Sequence, residues 1–324
     1  MILSGDIGGT KVHLALFEDG DVKRVVAQKI FSAKEFADFS ILLTEFLRPL
    51  SGIKIDRACF GIAGPILNER CSTTNLPWVI DAELLRQQIQ TSHVFLINDL
   101  EANAWGLRCL GDDAFFVLNE GVKMEGNAAL ISPGTGLGEA GLYWNGKSHF
   151  PFSSEGGHSG FASQNEEEIE LWRYLKKTHE HVSFEHVLSG SGIYQIYRFF
   201  VDVKGLEGIL TQKILEEQKE PQRLIRDKAI KKECPVCMRT IDLFVSILGG
   251  EAGNLALKML SVGGVYVGGG IPPKIVDFLK TGTFMKSFVD KGRFRSLMEK
   301  IPVKVVLNDN TALMGAMLYA QQKF

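Results

Sequence analysis

The chain has 324 residues, 45% of them hydrophobic, so it is long enough to form two domains with buried cores. Its 36 Lys and Arg residues nearly balance 38 Asp and Glu residues, and a net charge of −2 gives no overall attraction to nucleic acid or to an anionic membrane. The first residues do not resemble a signal peptide, and no run approaches the roughly 20 apolar residues of a membrane span, so we expect a cytoplasmic protein.

The first predicted element is a β-hairpin whose turn combines an acidic residue with glycines. An apolar strand leads into Gly-Asp-Ile-Gly-Gly-Thr at residues 5–10, and an alternating strand follows from Val12. Glycine allows close approach and tolerates positive φ, so backbone N–H groups and the Thr10 hydroxyl can reach phosphate oxygens, while Asp6 can hold a metal ion or its waters. A plain hairpin is the alternative, because Asp and Gly are ordinary turn residues.

A second candidate site follows the apolar strand at residues 93–97. Asn98 and Asp99 stand at its carboxyl end, immediately before a helical stretch at 101–105. Ligands bind outside the carboxyl ends of parallel strands, so Asp99 is a candidate base that accepts a proton from an attacking alcohol. The alternative is that Asp99 only caps the helix.

Two further glycine clusters extend the pattern. Residues 128–132 form an apolar strand, Pro-Gly-Thr-Gly-Leu-Gly follows at 133–138, and a second apolar run continues to Tyr143. Residues 263–271 form a short buried strand that ends in three glycines, where a base or ribose can lie against the backbone; a tight strand-to-helix turn is the alternative there. Together with the first hairpin, the three clusters point to a nucleotide.

One phosphate-binding pattern is rejected. Residues 141–148 match the P-loop pattern G-x-x-x-x-G-K-S, but a P-loop needs a helix after it. Here Asn145-Gly146 is typical of a hairpin turn and Pro151 interrupts any helix, so we predict a β-hairpin.

Polar side chains that suit a polyol occur at 155–158 and at 185. Glu155 and His158 flank two glycines and can project from a tight loop, although as a lone pair they are more typical of a surface. Glu185 follows Ser183, which can cap a helix, so a first-turn position is the alternative for it. A sugar would need such a set, because each hydroxyl both donates and accepts hydrogen bonds.

The five cysteines are an odd, scattered set that fits reduced thiols better than a disulfide framework. Cys234-Pro-Val-Cys237 has the C-x-x-C spacing of zinc and redox sites, but no second Cys or His pair lies near it in the sequence. A helix-like apolar pattern follows it, so we predict two thiols near the start of a helix.

In this order and at similar spacing, the motifs resemble the bacterial glucokinase family of the non-repressor type, within the sugar kinase, heat-shock and actin ATPase superfamily. They cover nearly the whole chain, at residues 5–10, 74–78, 97–99, 133–138, 155–158, 181–190, 263–271 and 291–294. The resemblance implies an α/β protein with a two-lobed actin-like ATPase (ribonuclease H-like) fold and a cleft between the lobes. The implied small lobe contains residues 1–109 and 302–324, and the large lobe contains residues 110–301.

The resemblance implies ATP-dependent phosphorylation of the 6-hydroxyl of D-glucose, giving glucose 6-phosphate and ADP as the entry step of glycolysis. Asp99 would be the base, and the sugar ligands would be Asn98, Asp99, Glu155, His158 and Glu185. The residues implied for ATP are Asp6, Gly8, Gly9, Thr10, Lys11, Gly134, Thr135, Gly136, Gly268, Gly269 and Gly270. Mg²⁺ would arrive with ATP, near Asp6 through water, without a permanent protein site. The family is commonly homodimeric.

Three positions depart from the family pattern: Lys11 replaces an Asn, Gly160 an Asp and Ser191 a Pro. Lys11 can alter nucleotide affinity and Gly160 can loosen the sugar loop. Residues 159–180 contain no cysteine, so the zinc of repressor-type relatives is not expected.

Two alternatives remain for function: a kinase for another hexose, and a non-catalytic sugar sensor or transcriptional regulator on the same fold. The regulator is disfavoured because the phosphate hairpin starts at residue 6, which leaves no room before it for a DNA-binding helix-turn-helix. A sensor without turnover would be expected to lack Asp6 or Asp99, and both are present. A P-loop ATPase is a distant third possibility.

Overall fold

The computed structural model describes residues 1–18, 21–73, 76–208, 210, 214 and 217–322, in two compact units. The first unit contains Met1–Asp113, Pro151–Ser153 and Asn308–Phe324, and the second contains Ala114–Phe150 and Ser154–Leu307. Residues 74 and 75, which begin the predicted motif at 74–78, lie outside the described residues.

Strands and helices alternate along much of the chain. The strands are β1 (Ile2–Ile7), β2 (Lys11–Phe17), β3 (Val25–Ser32), β4 (Arg57–Ile62), β5 (Ile66–Leu67), β6 (Arg70–Ser72), β7 (Val79–Asp81), β8 (Val94–Asn98), β9 (Phe115–Asn119), β10 (Ala128–Pro133), β11 (Leu137–Trp144), β12 (His149–Ser154), β13 (Gly264–Val267) and β14 (Val303–Val306). The α-helices of the described residues are α1 (Phe39–Leu47), α2 (Ala82–Ile89), α3 (Asp99–Gly106), α4 (Glu166–Leu175), α5 (Gly190–Asp202), α6 (Pro221–Ile230), α7 (Pro235–Met259), α8 (Val276–Leu279), α9 (Thr283–Val289), α10 (Arg295–Met298) and α11 (Thr311–Gln322).

The first unit is built on a five-stranded sheet with the order β3-β2-β1-β4-β8. Strand β1 pairs antiparallel with β2 and parallel with β4, and β4 pairs parallel with β8. Their registers align Ile7 with Ile62, and Ile62 with Asn98. The carboxyl ends of three parallel strands therefore meet at one edge of this sheet, where the sequence predicted the ligand side chains.

Helix α3 follows β8 and packs closely on α11 because both helices present a glycine at the crossing. A Cβ atom on Gly315 would collide with the Ala102 carbonyl and lie 2.5 Å from the Gly106 backbone nitrogen. A Cβ on Gly106 would lie 2.7 Å from the carbonyl carbon of Thr311. The two backbones thus approach to a distance that no larger residue allows, and this contact fixes α3 against α11.

The second unit is built on a six-stranded sheet with the order β12-β11-β10-β13-β14-β9. Strand β10 pairs antiparallel with β11 and parallel with β13, and β13 pairs parallel with β14. This repeats the arrangement of the first unit, where β1 pairs antiparallel with β2 and parallel with β4. The two predicted glycine-rich hairpins are confirmed, and each lies at the equivalent place in its own sheet.

The structural units divide the chain near residue 308, whereas the sequence placed residues 302–307 in the small lobe. Strand β14 lies in this segment and pairs with β13 on one side and β9 on the other, inside the sheet of the second unit. Backbone pairing with strands far away in sequence decides its place, and local sequence carries no sign of such pairing. The division into functional lobes stays a prediction.

The P-loop match at residues 141–148 is a hairpin, as predicted. Strand β11 ends at Trp144 and β12 begins at His149, and between them the Asn145 side chain accepts hydrogen bonds from the backbone nitrogens of Lys147 and Ser148 at 2.9 and 2.8 Å. Gly146 has a φ of +88°. This turn lacks the helix that a P-loop requires.

We therefore expect Lys147→Ala to leave nucleotide binding unchanged, within about twofold in Kd, because Lys147 lies in a hairpin turn rather than a P-loop. Isothermal titration with an ATP analogue would test this, and loss of binding would restore the P-loop interpretation. Lys147→Arg provides the matched control, since it retains the charge.

Helix α7 is the central helix of the second unit. It spans 25 residues and is long and apolar enough to cross a membrane, contrary to the sequence expectation. However, 72% of its apolar 18-residue stretch is buried inside the protein, as in a core helix.

Helix α7 begins directly after Cys234, whose Sγ accepts a hydrogen bond from the backbone nitrogen of Cys237 at 3.3 Å. Both thiols are buried, and burial raises the pKa of Cys237, which disfavours a reactive thiolate. The predicted position of the pair at a helix start is confirmed.

Candidate active site

In the first unit, the turn between β1 and β2 forms the predicted glycine hairpin. The backbone nitrogen of Gly8 donates to the carbonyl of Lys11 at 3.0 Å and closes the turn. Gly8 does not adopt a positive φ, so conformational freedom is not what requires glycine here; a Cβ would lie 3.3 Å from the Lys11 carbonyl oxygen, tighter than most such contacts. Gly9 is half-buried and Thr10 is exposed, which leaves this turn accessible to a ligand.

Asn98, and not Asp99, is the N-cap of α3. The Asn98 Oδ1 atom accepts hydrogen bonds from the backbone nitrogens of Leu100 at 2.9 Å and Glu101 at 3.4 Å, and its amide donates to the Gly64 carbonyl at 3.4 Å. Asp99 is the first helical residue, and its Oδ1 accepts from the Leu100 nitrogen at 2.9 Å. The alternative that Asp99 is only the cap is therefore wrong, because its neighbour fills that position.

The absence of a side chain at Gly61 brings α3 onto the sheet. Gly61 on β4 pairs with Asp6 on β1, and a Cβ on Gly61 would lie 2.8 Å from the Ala102 Cβ and 3.6 Å from the Asp99 Cα. A larger residue would push the start of α3 away from the carboxyl end of β4. Glycine at this position thus sets how closely the Asp99 backbone approaches the edge that carries Asp6.

Asp6 and Asp99 influence each other electrostatically. Burial and, to a smaller extent, the negative charge of Asp99 together raise the pKa of Asp6 to about 7. Two carboxyl groups at one sheet edge are costly in the free protein and favour a cation between or beside them. Perturbed carboxyl groups of this kind are typical of functional sites.

We expect Asp6→Asn to stabilise the protein without ligands, by about 3 °C or more in Tm at pH 8 and by less at pH 5. The pKa of Asp6 is raised in the folded protein above its ordinary value of 3.8, so its cost to stability grows as the pH rises from about 4 to about 7 and is complete above that. Asn removes this cost. Differential scanning calorimetry at both pH values, with Asp112→Asn as an exposed-carboxyl control, provides the measurement. An equal gain at both pH values would contradict the interpretation.

In the second unit, the turn at 134–136 is held by two hydrogen bonds between backbone groups and by one from the backbone to the Glu185 side chain. The Gly134 nitrogen donates to the Gly136 carbonyl at 2.8 Å, and the Gly190 nitrogen, at the start of α5, donates to the Gly134 carbonyl at 2.9 Å. Glu185 Oε2 accepts from the Leu137 nitrogen at 2.9 Å. A Cβ on Gly136 would collide with the Glu185 carboxyl group. The structure thus brings Glu185 directly against the predicted phosphate turn.

Glu185 lies in a 3-10 turn, Phe184–His186, and Ser183 caps this turn as predicted. The His186 Nδ1 atom accepts a hydrogen bond from the Ser183 backbone nitrogen at 3.0 Å. Burial and the nearby His179 lower the pKa of His186, which favours the neutral ring that this bond needs. The sequence predicts His186, like Glu185, as a candidate for the first turn after Ser183, but not this bond, because the capping-box position three residues after the cap is usually taken by Glu or Gln.

Glu155 immediately precedes a second 3-10 turn, Gly156–His158, and His158 is its last residue; both side chains are exposed. The His158 carbonyl accepts from the His181 ring at 2.8 Å, which links this loop to the segment that carries Glu185. Gly160, a departure from the family pattern, forms a β-bridge with Ser183 in the same link. The three sugar-ligand candidates of the second unit therefore lie on two loops that are bonded to each other.

The third departure from the family pattern, Ser191, lies in the first turn of α5. Its hydroxyl lies 2.9 Å from the Ser189 hydroxyl, which also accepts from the Gly192 nitrogen at 3.1 Å as the cap of that helix. The first turn of α5 therefore forms with Ser at this position.

Residues 268–270 follow β13 and lie beside the turn at 134–136. The Gly268 nitrogen donates to the Ile131 carbonyl at 2.8 Å, and Gly269 has a φ of +86°. A Cβ on Gly269 would lie 2.5 Å from the Pro133 carbonyl oxygen, while a Cβ on Gly270 would meet no atom within 4 Å. The close backbone approach requires glycine at 269, and the open space at 270 leaves room for a ligand.

Comparison with known proteins agrees with this geometry. The Glucokinase family model matches residues 3–323. A glucokinase of Nostoc punctiforme is 37% identical over 99% of this chain and 98% of its own. The crystal structure of a glucokinase from an Antarctic psychrotroph superposes with a TM-score of 0.85 at 32% identity, covering 98% of both chains. A ROK family glucokinase from Streptomyces griseus, solved with glucose and AMPPNP, has a TM-score of 0.67 at 18% identity, and the match covers 99% of this chain and 99% of its own.

These likenesses cover both units, and they agree with the two sheets that repeat the same hairpin arrangement. The expected fold class, an α/β protein of the two-lobed actin-like ATPase type, is confirmed. The chain belongs to the glucokinase family.

Proposed function

We propose that this protein transfers the γ-phosphoryl group of ATP to the 6-hydroxyl of D-glucose, giving glucose 6-phosphate and ADP. Membership of the glucokinase family supports the reaction. The observation that carries the proposal is Asp99, a carboxyl group at the first position of α3, directly after the cap residue Asn98 and at the same sheet edge as Asp6.

Asp99 acts as the base in this proposal. Its carboxylate accepts the proton of the sugar 6-hydroxyl while that oxygen forms a bond to the γ-phosphorus and the bond to the bridging oxygen of ADP breaks. The hydrogen bond from the Leu100 nitrogen orients the carboxyl group. Asn98, Glu155, His158 and Glu185 bind the other sugar hydroxyls, and the bond between their loops in the second unit supports a joint role for the last three.

The glycine turns bind the nucleotide. Residues 8–11 and 134–136 bind phosphate oxygens through backbone N–H groups and the hydroxyls of Thr10 and Thr135, and residues 268–270 face the adenosine. The open space above Gly270 supports this role. Lys11, exposed at the edge of the first turn, adds a positive charge close to the phosphates.

Mg²⁺ accompanies ATP in this proposal, and the chemistry of Asp6 fits it. Oxygen ligands and bound water suit Mg²⁺, and a cation beside Asp6 would offset the repulsion from Asp99 that raises the pKa of Asp6. When bound, Mg²⁺ would supply charge neutralisation at the β- and γ-phosphates, and Asp6 would hold the ion through its waters.

We also propose that the protein is a cytoplasmic homodimer and that sugar binding closes its two functional lobes, residues 1–109 with 302–324 and residues 110–301. Closure excludes the water that would otherwise accept the phosphoryl group. Size-exclusion chromatography with light scattering tests the dimer.

A coupled assay for sugar 6-phosphate with Mg-ATP, run with glucose, mannose, fructose, galactose and N-acetylated sugars, tests the function. We expect turnover to be greatest with glucose. A larger kcat/KM with another hexose would make the protein a kinase for that sugar. Sugar binding by calorimetry without turnover of any hexose would overturn the proposal and favour a sensor.

A further inference from the structure

Two buried carboxyl groups meet inside the second unit, outside the residues discussed so far. Glu139 on β11 is 1% exposed and Glu251 on α7 is fully buried. Burial raises the pKa of Glu139, and the charge of Glu251 and a hydrogen bond between the two carboxyl groups raise it further, against an opposing effect of Lys258. Two carboxyl groups that repel each other in a buried site are stabilised by one proton shared between them.

The groups around Glu251 indicate which partner holds the proton. Glu251 Oε1 accepts from the Lys258 ammonium at 3.1 Å, and Oε2 accepts from the Asn254 amide at 2.7 Å. The Lys291 ammonium donates to Asn254 Oδ1 at 2.8 Å and holds that amide in place. Both oxygens of Glu251 therefore face donors, as an ionised carboxylate needs, and the proton belongs to Glu139.

The same contacts give a role to Lys291, which begins the motif at 291–294 that had no function assigned from the sequence. Lys291 also donates to the Gly250 carbonyl at 2.9 Å. Its ammonium begins a series of polar side chains: Lys291 donates to Asn254, Asn254 donates to Glu251, and Glu251 interacts with Glu139. Burial lowers the pKa of Lys291, while the negative charges of Glu251, Asp290 and Glu168 act in the opposite direction and favour the ammonium.

Glu139 contacts the loop that carries Glu155 and His158. A Cβ on Gly156 would collide with Glu139 Oε2 and lie 2.9 Å from its Cδ. A Cβ on Gly157 would collide with the Leu137 carbonyl. The loop therefore rests on β11 at residues 137–139 with no space between them. Glu139 Oε1 is buried and has no hydrogen-bond partner among the described residues. Contacts among those residues therefore leave one oxygen of this carboxyl group unsatisfied, and such a buried group needs a physical explanation.

We propose that Glu139 is a positioning residue for the Glu155–His158 loop and acts through the proton that it shares with Glu251. The inference rests on the proposed function, because that loop is assigned there to sugar binding. Ionisation of Glu139 would place a second negative charge beside Glu251 in a buried site, and the loop would shift to admit water or a cation. Sugar affinity should fall at alkaline pH for this reason, while nucleotide affinity should not.

The test compares Glu139→Gln, which keeps the shape and a donor toward Glu251, with Glu139→Ala, which removes both. For Glu139→Ala we expect KM for glucose to rise about tenfold or more, with KM for ATP changed less than about twofold. Glu139→Gln should match the wild type at pH 7 and lack the wild-type rise in KM for glucose between pH 7 and pH 9. Equal changes in both KM values, or a Gln variant with the wild-type pH profile, would overturn the inference.

A measurement without substrates separates this inference from the proposed function. Hydrogen–deuterium exchange of the amides at 155–161 should be faster in Glu139→Ala than in the wild type and unchanged in Glu139→Gln. The control is Glu168→Gln, which alters another buried carboxyl group of the second unit that accepts its bonds from Gln164 and Asn165. Unchanged exchange in Glu139→Ala contradicts the inference even if glucose is phosphorylated. Faster exchange supports it even if the wild type proves to act on another sugar.

Discussion

Replacing Asp99 by Asn should lower kcat for glucose phosphorylation by about 10²–10⁴-fold, the usual contribution of a positioned general base. Asn retains the size of the side chain and can accept the same hydrogen bond from the Leu100 nitrogen, so α3 and its Asn98 cap should be preserved. It cannot accept the proton of the sugar hydroxyl. We expect KM for ATP to change little, because the glycine turns assigned to the nucleotide are unaltered.

The measurement is steady-state kinetics together with calorimetric titration of glucose into the variant. Glu83→Gln supplies a matched control, since it removes an acidic side chain from the first turn of another helix, where the side chain is exposed. Retained sugar binding with lost turnover would identify Asp99 as the base. A variant with more than about a tenth of the wild-type kcat would instead assign proton transfer to solvent or to another group.

Gly315→Ala should destabilise the protein severely, by about 3 kcal/mol or more, although Ala is the better helix former. The added methyl group would collide with the Ala102 carbonyl and lie 2.5 Å from the Gly106 nitrogen, so α11 and α3 would have to separate along their whole contact. Because α3 carries Asn98 and Asp99, the fraction that remains folded should also lose activity.

Gly250→Ala is the matched control for this change. Gly250 also lies within a helix, but a Cβ there would meet no atom within 4 Å, so Ala should be neutral or stabilising by about 0.5–1 kcal/mol. Urea denaturation of both variants would measure the two effects. Similar stability of the two variants would show that the helix crossing accommodates a methyl group and that close packing at Gly315 is unimportant.

The sequence predicted those parts of the site that depend on local patterns. The hairpin around Asp6 and the turn at 134–136 were recognisable because strand alternation, glycines and a hydroxyl occur within a few residues. The start of α3 was also predicted, but the sequence alone left Asp99 as base or cap, since both Asn and Asp are good caps. The hydrogen bonds of Asn98 show that Asn98 is the cap, and the role of Asp99 as the base stays a prediction.

Residues whose roles depend on distant partners could not be predicted in this way. The sequence does not distinguish Gly61 from any other small residue in a buried strand. The structure does, because a Cβ at this position would lie 2.8 Å from the Ala102 Cβ on α3. Glu139 follows a glycine-rich turn and carries no local sign that Glu251, more than a hundred residues away, lies beside it. The same is true of β14, because a short apolar strand can pair in either sheet until its neighbours are known.

The crossing of α3 and α11 also sets the order in which this protein can mature during synthesis. The Ser4 hydroxyl donates to the Leu313 carbonyl at 2.6 Å, across 309 positions of sequence, and α11 packs beside both β1 and α3. While a ribosome is still translating the second unit, the first sheet lacks this helix and exposes the apolar surface that α11 will cover. The packing behind Asp99 is thus completed only after the second unit has been translated and α11 has emerged.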